Sequence, residues 1–328
     1  MSEVIERIRE DLQTYCREQL GRPGLRVNSV ESIPEGHAGF TYYVEIDDGT
    51  RPRSLVLRLP PPGARIAGPA DVVRQGRIMA ALHSAGLPTA GILALSSDPV
   101  VDGRPFVLMD RLEGARVEIA GVQHDAIDLA RSAVHVLKLL HAVPLAQTGI
   151  GDDEPVGLQT EMTRWAWLMQ RAPEALTERA GELSGLLAAR IPEERNPTLV
   201  HGDYHYGNLL FKGAEVVAVL DWEIAEIGQP LLDLGCLCIV AHRRRYGDAP
   251  NPGATVAVSV EDLCSLYEVE SEEMGWYFAL SLYKYASILG YNLMLHRRGK
   301  RPDPMYEQLT PTIVGMIAEG IAVLERSA

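Results

Sequence analysis

The stretch His201-Gly-Asp203-Tyr-His205-Tyr-Gly-Asn208-Leu-Leu-Phe211, with Val219-Leu-Asp221-Trp-Glu223 following it, decides how the chain is read. Gly202 and Gly207 mark a loop rather than a helix, so backbone turns hold Asp203 and Asn208 at their five-residue spacing. Leu209-Leu-Phe211 and Val216-Val-Ala-Val-Leu220 flank Lys212-Gly-Ala214, which predicts a short hairpin with Asp221 at its end. Singly, Asp203, Asn208 and Asp221 read as turn formers or caps. As an ordered set they are what phosphoryl transfer needs. Its transition state carries charge on the γ-phosphoryl oxygens, so catalysis rests on positioning and on neutralising that charge. One carboxylate must orient an attacking hydroxyl and accept its proton. A second carboxylate and a neutral oxygen must fix Mg²⁺, which prefers hard oxygen donors.

Working outward, residues 3–20 place Ile5, Ile8, Leu12 and Tyr15 at helical spacing before Gly21 and Pro23. From about 25 to 60 the texture is β: Tyr42, Val44 and Ile46 alternate, Asp47-Asp-Gly49 turns, and Leu55–Leu59 forms a second strand. Residues 71–86 are predicted helical and Phe106–Met109 a buried strand. Helical patterning dominates afterwards, over 122–142, 157–190, 258–269, 271–296 and 303–326, with 243–255 as a loop. The expected fold class is α+β: a small N-terminal lobe (1–112) with an antiparallel sheet and a larger, mainly helical C-terminal lobe (113–328). The polar hairpin region between the lobes is the expected cleft.

His201-Gly-Asp-Tyr-His-Tyr-Gly-Asn-Leu-Leu-Phe211 and Val219-Leu-Asp-Trp-Glu-Ile-Ala-Glu-Ile-Gly-Gln-Pro-Leu-Leu-Asp-Leu234 resemble the signature of the aminoglycoside phosphotransferase/choline kinase-like family, with D-x-x-x-x-N as in protein kinases. The likeness covers about residues 25–300 and is nearest to the branch found in acyl-CoA dehydrogenase fusion proteins. It implies a protein-kinase-like two-lobed fold, ATP or GTP as cosubstrate, and Mg²⁺. On the matching positions it implies Asp203 as catalytic base, Asn208 and Asp221 as Mg²⁺ ligands, His201 as a brace of the loop, and Asp233 as its buried support.

In the small lobe, Gly36 and Gly39 lie in Glu35-Gly-His-Ala-Gly39, between two candidate strands, where glycines would let backbone amides approach phosphates or else simply form a hairpin turn. Arg58 stands where protein kinases carry a phosphate-binding Lys, and its fork suits α- and β-phosphate oxygens. Gln75 stands where a Glu pairs with that cation; it can hydrogen-bond Arg58 without neutralising it. Phe106-Val-Leu-Met109-Asp110-Arg-Leu112 is the strand and hinge expected to meet the nucleobase through Met109, Asp110 and Leu112, or else a plain buried strand. The Arg58/Gln75 pair and the incomplete glycine loop keep open a second reading, a nucleotide-binding pseudokinase that serves as scaffold or sensor.

The chain has 328 residues, 46% hydrophobic and 23% charged, an ordinary globular composition. Its 31 bases against 44 acids give a net charge of −13, which disfavours nucleic acid and anionic membranes as partners. Cys16, Cys236, Cys238 and Cys264 form neither a disulfide framework nor a zinc pattern. The charged start Met1-Ser-Glu-Val-Ile-Glu-Arg7 is unlike a secretory leader, and no apolar run approaches the ~20 residues of a membrane span. A soluble, cytoplasmic protein is expected. Arg243-Arg-Arg245 reads as an anion contact or a solvated helix end. Of Trp165, Trp167, Trp276, Tyr277, Tyr283, Tyr285 and Tyr291, one or two are expected to line an acceptor pocket and the rest to be core. The acceptor is a hydroxyl-bearing molecule left open between a metabolite, a hydroxyacyl compound and an aminoglycoside-like antibiotic; the oligomeric state is not legible.

Overall fold

A computed structural model describes residues 2–33, 40–47, 49, 52–241 and 256–326. Gly36 and Gly39 lie outside the described residues, as does the whole of the 243–255 loop with Arg243–Arg245. The chain divides into two units: Met1–Glu113 with Pro144–Asp152 and Leu220–Ala225, and the remainder.

The first unit opens with helix α1 (Ser2–Glu18), followed by strands β1 (Arg26–Ser32), β2 (Phe40–Asp47) and β3 (Pro52–Leu59), helix α2 (Val72–Ser84), and strands β4 (Ile92–Val101) and β5 (Arg104–Asp110). The five strands form one antiparallel sheet in the order β1-β2-β3-β5-β4. Alternation sets its buried face: Tyr42, Val44 and Ile46 of β2 and Leu55, Leu57 and Leu59 of β3 pack with Ile8, Leu12 and Cys16 of α1. The β2–β3 turn closes where Gly49 N donates to Asp47 Oδ1 at 2.8 Å. The period-2 pattern thus brings Arg58 opposite Val107 of β5. Strand β4 escaped the sequence reading; it is an edge strand and carries Pro99, which an edge tolerates and a central strand does not.

In the second unit, predicted helix 122–142 is α3 (Val117–Gln123) and α4 (Ala126–His141). The predicted helix 157–190 is two, α5 (Leu158–Met169) and α6 (Ala180–Ala189), because Pro173 falls between them. Short strands β6 (Thr198–Val200) and β9 (Glu226–Gly228) bracket the hairpin β7 (Leu209–Lys212) and β8 (Glu215–Val219). Helices α7 (Leu231–Ala241), α8 (Val260–Tyr267), α9 (Ser271–Arg297), α10 (Met305–Gln308) and α11 (Thr310–Arg326) complete it. The first two-thirds of α9 is apolar nearly all round and correspondingly buried from Met274 to Lys284.

Helices α7 and α9 approach closely at Gly235, where an added Cβ would lie 2.5 Å from Ser281 Oγ and 2.8 Å from the Tyr277 carbonyl. Gly235→Ala is therefore expected to destabilise by about 1–3 kcal/mol through overpacking. Urea unfolding measures this, and an unchanged midpoint contradicts the close approach.

Candidate active site

The loop His201–Asn208 leaves β6 and re-enters the hairpin at β7. Asn208 immediately precedes Leu209, which pairs with Val219, the last residue of β8. The loop is gripped from below by Asp233, in the first turn of α7 and fully buried because its helix is otherwise apolar. Asp233 Oδ2 accepts from His201 N at 2.7 Å, and its Oδ1 accepts from Gly202 N at 2.8 Å. His141 of α4 brings Nε2 to 3.2 Å from Asp233 Oδ2, and its Nδ1 lies 2.7 Å from the Tyr267 hydroxyl. Burial alone would raise the Asp233 carboxyl, but His141, His201 and the His201 amide hold it below its ordinary value. Gly202 has φ +80°, a left-handed conformation that suits glycine and turns the chain above Asp233.

Asp203 is held from several sides. His201 Nδ1, buried, accepts from Asp203 N at 3.2 Å. Asn208 Nδ2 donates to the Asp203 carbonyl at 3.0 Å and to Oδ2 at 3.2 Å, and the Tyr285 hydroxyl donates to Oδ1. His205 Nδ1 accepts from Gly207 N at 3.0 Å, leaving Nε2 3.4 Å from Asp203 Oδ2. Burial would raise the Asp203 carboxyl; His205, Lys284 and the Tyr285 hydrogen bond instead hold it well below the usual carboxylate range. The result is an ionised carboxylate with a fixed rotamer, still 29% exposed. Since Asn208 spends its NH₂ on Asp203, its carbonyl oxygen is the atom left to meet a cation.

In the first unit, Arg58 and Asp221 come together: Arg58 Nη1 lies 3.8 Å from Asp221 Oδ1. Asp221 takes φ +64°, an uncommon backbone for a residue that is not glycine. Its Oδ1 is buried without a hydrogen-bond donor, and Arg58 Nε is buried without an acceptor. An unmet acceptor beside an unmet donor suits a divalent cation and a phosphate oxygen together, so the hard-oxygen donors present fit Mg²⁺. Arg74 of α2 anchors this segment, Nη1 donating to the Ala225 carbonyl at 2.7 Å.

One expectation needs correction. Gln75 is buried, but it does not hydrogen-bond Arg58: its Nε2 donates to the Pro69 carbonyl at 2.9 Å, and its Oε1 has no hydrogen-bond partner. The Pro69 carbonyl fixes the amide through its NH₂, in an orientation that leaves Oε1, the atom able to accept from a guanidinium, without Arg58. In β5, Met109 pairs with Val56 and Asp110 with Leu55. The Asp110 carboxylate takes Arg53 Nη2 at 2.6 Å, its N–H donates to the Gly91 carbonyl, and Leu112 follows the strand half-buried. Trp276, Tyr277 and Tyr283 are core, Trp167 is exposed, and Tyr285 is the aromatic that reaches Asp203.

Sequence reasoning missed His141 and Lys284. The signal for Lys284 was present: it is the one charged residue between Met274 and Gly290. His141 gave none, since its partners lie 92 and 126 residues away.

The model of the phosphotransferase enzyme family matches residues 29–268. Acyl-CoA dehydrogenase family member 10 of Mus musculus is 33% identical over 242 residues, covering 70% of this chain and 22% of its own length. Acyl-CoA dehydrogenase family member 11 of Homo sapiens is 28% identical over 306 residues, or 85% of this chain and 38% of its own length. The chain thus spans less than two-fifths of these relatives. Among solved structures, a Ralstonia eutropha JMP134 protein provisionally named an aminoglycoside phosphotransferase superposes with a TM-score of 0.73 at 22% identity, covering 97% of this chain and 98% of that one. An aminoglycoside phosphotransferase in complex with GDP and kanamycin gives 0.64 at 16%, covering 96% and 97%. These likenesses show a protein-kinase-like fold, with the five-stranded antiparallel sheet N-terminal and the helical part C-terminal.

Proposed function

We propose, since this chain belongs to the phosphotransferase enzyme family, that it transfers the γ-phosphoryl group of ATP or GTP to a hydroxyl of a small molecule. The observation that carries this reading is Asp203: a part-exposed carboxylate kept ionised on a loop whose amides a buried Asp233 fixes. Asp203 aligns the acceptor hydroxyl and takes its proton as the new P–O bond forms. Asn208 and Asp221 would hold the metal, with Arg58 toward the α/β-phosphate oxygens and Gly36 and Gly39 toward the phosphates. When bound, Mg²⁺ supplies charge neutralisation at the β- and γ-phosphates. Met109, Asp110 and Leu112 present backbone to the nucleobase. His201 and Asp233 are positioning residues.

The acceptor is a hydroxylated metabolite. The names of the curated relatives favour a hydroxyacyl compound, and the kanamycin complex supplies an aminoglycoside as the alternative to test. Four cysteines that are free and buried suit a reducing compartment, the cytoplasm. Among the described residues no helix is long and apolar enough to cross a membrane.

A second reading, a nucleotide-binding scaffold, is favoured by one observation: Gln75 leaves Arg58 without the partner that would hold it. Thermal shift separates binding from its absence. At 100-fold excess over Kd, MgATP or MgGTP is expected to stabilise the protein by about 2.7 kcal/mol. Asp221→Asn is expected to abolish the Mg²⁺-dependent part of that shift while sparing the fold, because it removes the charge yet keeps the side-chain volume and a residue type that tolerates the left-handed backbone there. A variant that keeps the full Mg²⁺-dependent shift contradicts the ligand assignment. Binding without turnover on any acceptor favours the scaffold.

A further inference from the structure

Gly202, the residue before Asp203, is held at both its backbone N–H and its carbonyl. Asp233 accepts the Gly202 N–H, and Lys284 Nζ donates to the Gly202 carbonyl. Lys284 sits in α9 at 5% exposure. Its other neighbours are Cys236 Sγ at 3.8 Å and the rings of Trp165 and Tyr285, whose centroids lie 4.9 and 5.6 Å from Nζ. Among the described residues Nζ contacts no carboxylate directly, and burial pushes the Cys236 thiol up to about 11, so it is no anion at neutral pH. Burial works against the ammonium, but the carboxylates of Glu161, Asp203 and Asp233, none in direct contact with Nζ, are among the charges that hold it above the ordinary lysine value.

What it does reach is the loop. The Gly202 carbonyl belongs to the peptide whose nitrogen is that of Asp203, so a cation on that oxygen fixes the plane from which the Asp203 side chain departs. The next residue of the same helix, Tyr285, fixes the far end of that side chain at Oδ1, while Asn208 holds Oδ2. We propose that Lys284 is a positioning residue for phosphoryl transfer: it acts through the Gly202 carbonyl, with Tyr285 beside it, to aim Asp203 at the acceptor hydroxyl. The role rests on the assignment of Asp203 as the base. The close approach of α7 and α9 at Gly235 brings Asp233 and Lys284 to the two consecutive peptide groups that meet at the Gly202 Cα.

The test uses the full chain with Lys284→Met, Lys284→Arg and Tyr285→Phe. Amide hydrogen exchange over residues 201–208 reads loop fixation without requiring turnover, and MgATP hydrolysis to water reads its effect on transfer. In Lys284→Met, exchange over 201–208 is expected to rise about tenfold while the helices and the thermal midpoint hold. Hydrolytic kcat is expected to fall about 100-fold with KM for MgATP unchanged, the signature of misaim. Lys284→Arg is expected to restore part of both. Unchanged exchange in the loop, or a rise spread evenly over the chain, overturns the proposal. Should Lys284→Met fail to fold, Tyr285→Phe decides: a kcat drop of about tenfold at unchanged KM supports the aiming of Asp203 from α9, and wild-type kcat overturns it. A wild-type protein that binds MgATP but passes phosphate neither to water nor to any acceptor refutes the enzymatic reading instead, and the loop exchange still decides the role of Lys284.

Discussion

Asp203→Asn is expected to lower turnover by about 100- to 10,000-fold while nucleotide binding stays intact. The substitution keeps the volume of the side chain and an oxygen to receive the Tyr285 hydroxyl. What it removes is a base: an amide cannot take the acceptor proton, and its NH₂ opposes the NH₂ that Asn208 directs at Oδ2. None of Arg58, Asp221 and the β5 backbone is altered, so the affinity for MgATP has no reason to change. A loss expressed in kcat at constant nucleotide Kd, by steady-state kinetics and calorimetric titration, is the expected signature. Turnover near the wild-type value refutes the role of Asp203.

Asp233→Ala is expected to cost stability, about 3–5 kcal/mol, as removal of one partner from a buried charged network does. It strands the His201 and Gly202 amides as buried donors and deprives His141 of its carboxylate. Against a total stability of about 5–15 kcal/mol this is a large fraction. The pH dependence has a definite sign. The folded carboxyl of Asp233 lies below its ordinary value, so its contribution is fully present above the unfolded pKa of about 3.9 and is lost as pH falls through the folded value. The gap between wild type and Asp233→Ala, read by urea unfolding, is therefore widest near neutrality and narrows below about pH 4. A gap that widens on acidification contradicts a depressed carboxyl at that position.

The catalytic loop and the hairpin were legible because both are local. His201–Phe211 and Val216–Asp221 carry their glycines, alternation and polar residues within one short stretch, and β7 and β8 fall where the pattern puts them. The antiparallel sheet was legible for the same reason, through the alternation of Tyr42, Val44 and Ile46 against Leu55, Leu57 and Leu59. What escaped was either too short to show a period or made of distant partners. Strands β6 and β9 have three residues each, fewer than two full alternations. The Arg58–Asp221 approach joins residues 163 positions apart, and Lys284 meets Gly202 across 82. The expected Gln75–Arg58 hydrogen bond is not made: Gln75 Nε2 turns to the Pro69 carbonyl, and Oε1, the one atom that can accept from a guanidinium, has no hydrogen-bond partner. Helical periodicity, finally, cannot distinguish one long helix from two, so only Pro173 hinted that α5 and α6 are separate.

The most direct measurement follows the label of [γ-³²P]ATP and [γ-³²P]GTP with Mg²⁺ across hydroxyacyl compounds, choline, macrolides and aminoglycosides, wild type beside Asp203→Asn. Label passing into a phosphate monoester with the wild type, and not with the variant, is the predicted result. Saturable nucleotide binding with every count left in the nucleotide, for all acceptors and in both proteins, contradicts it.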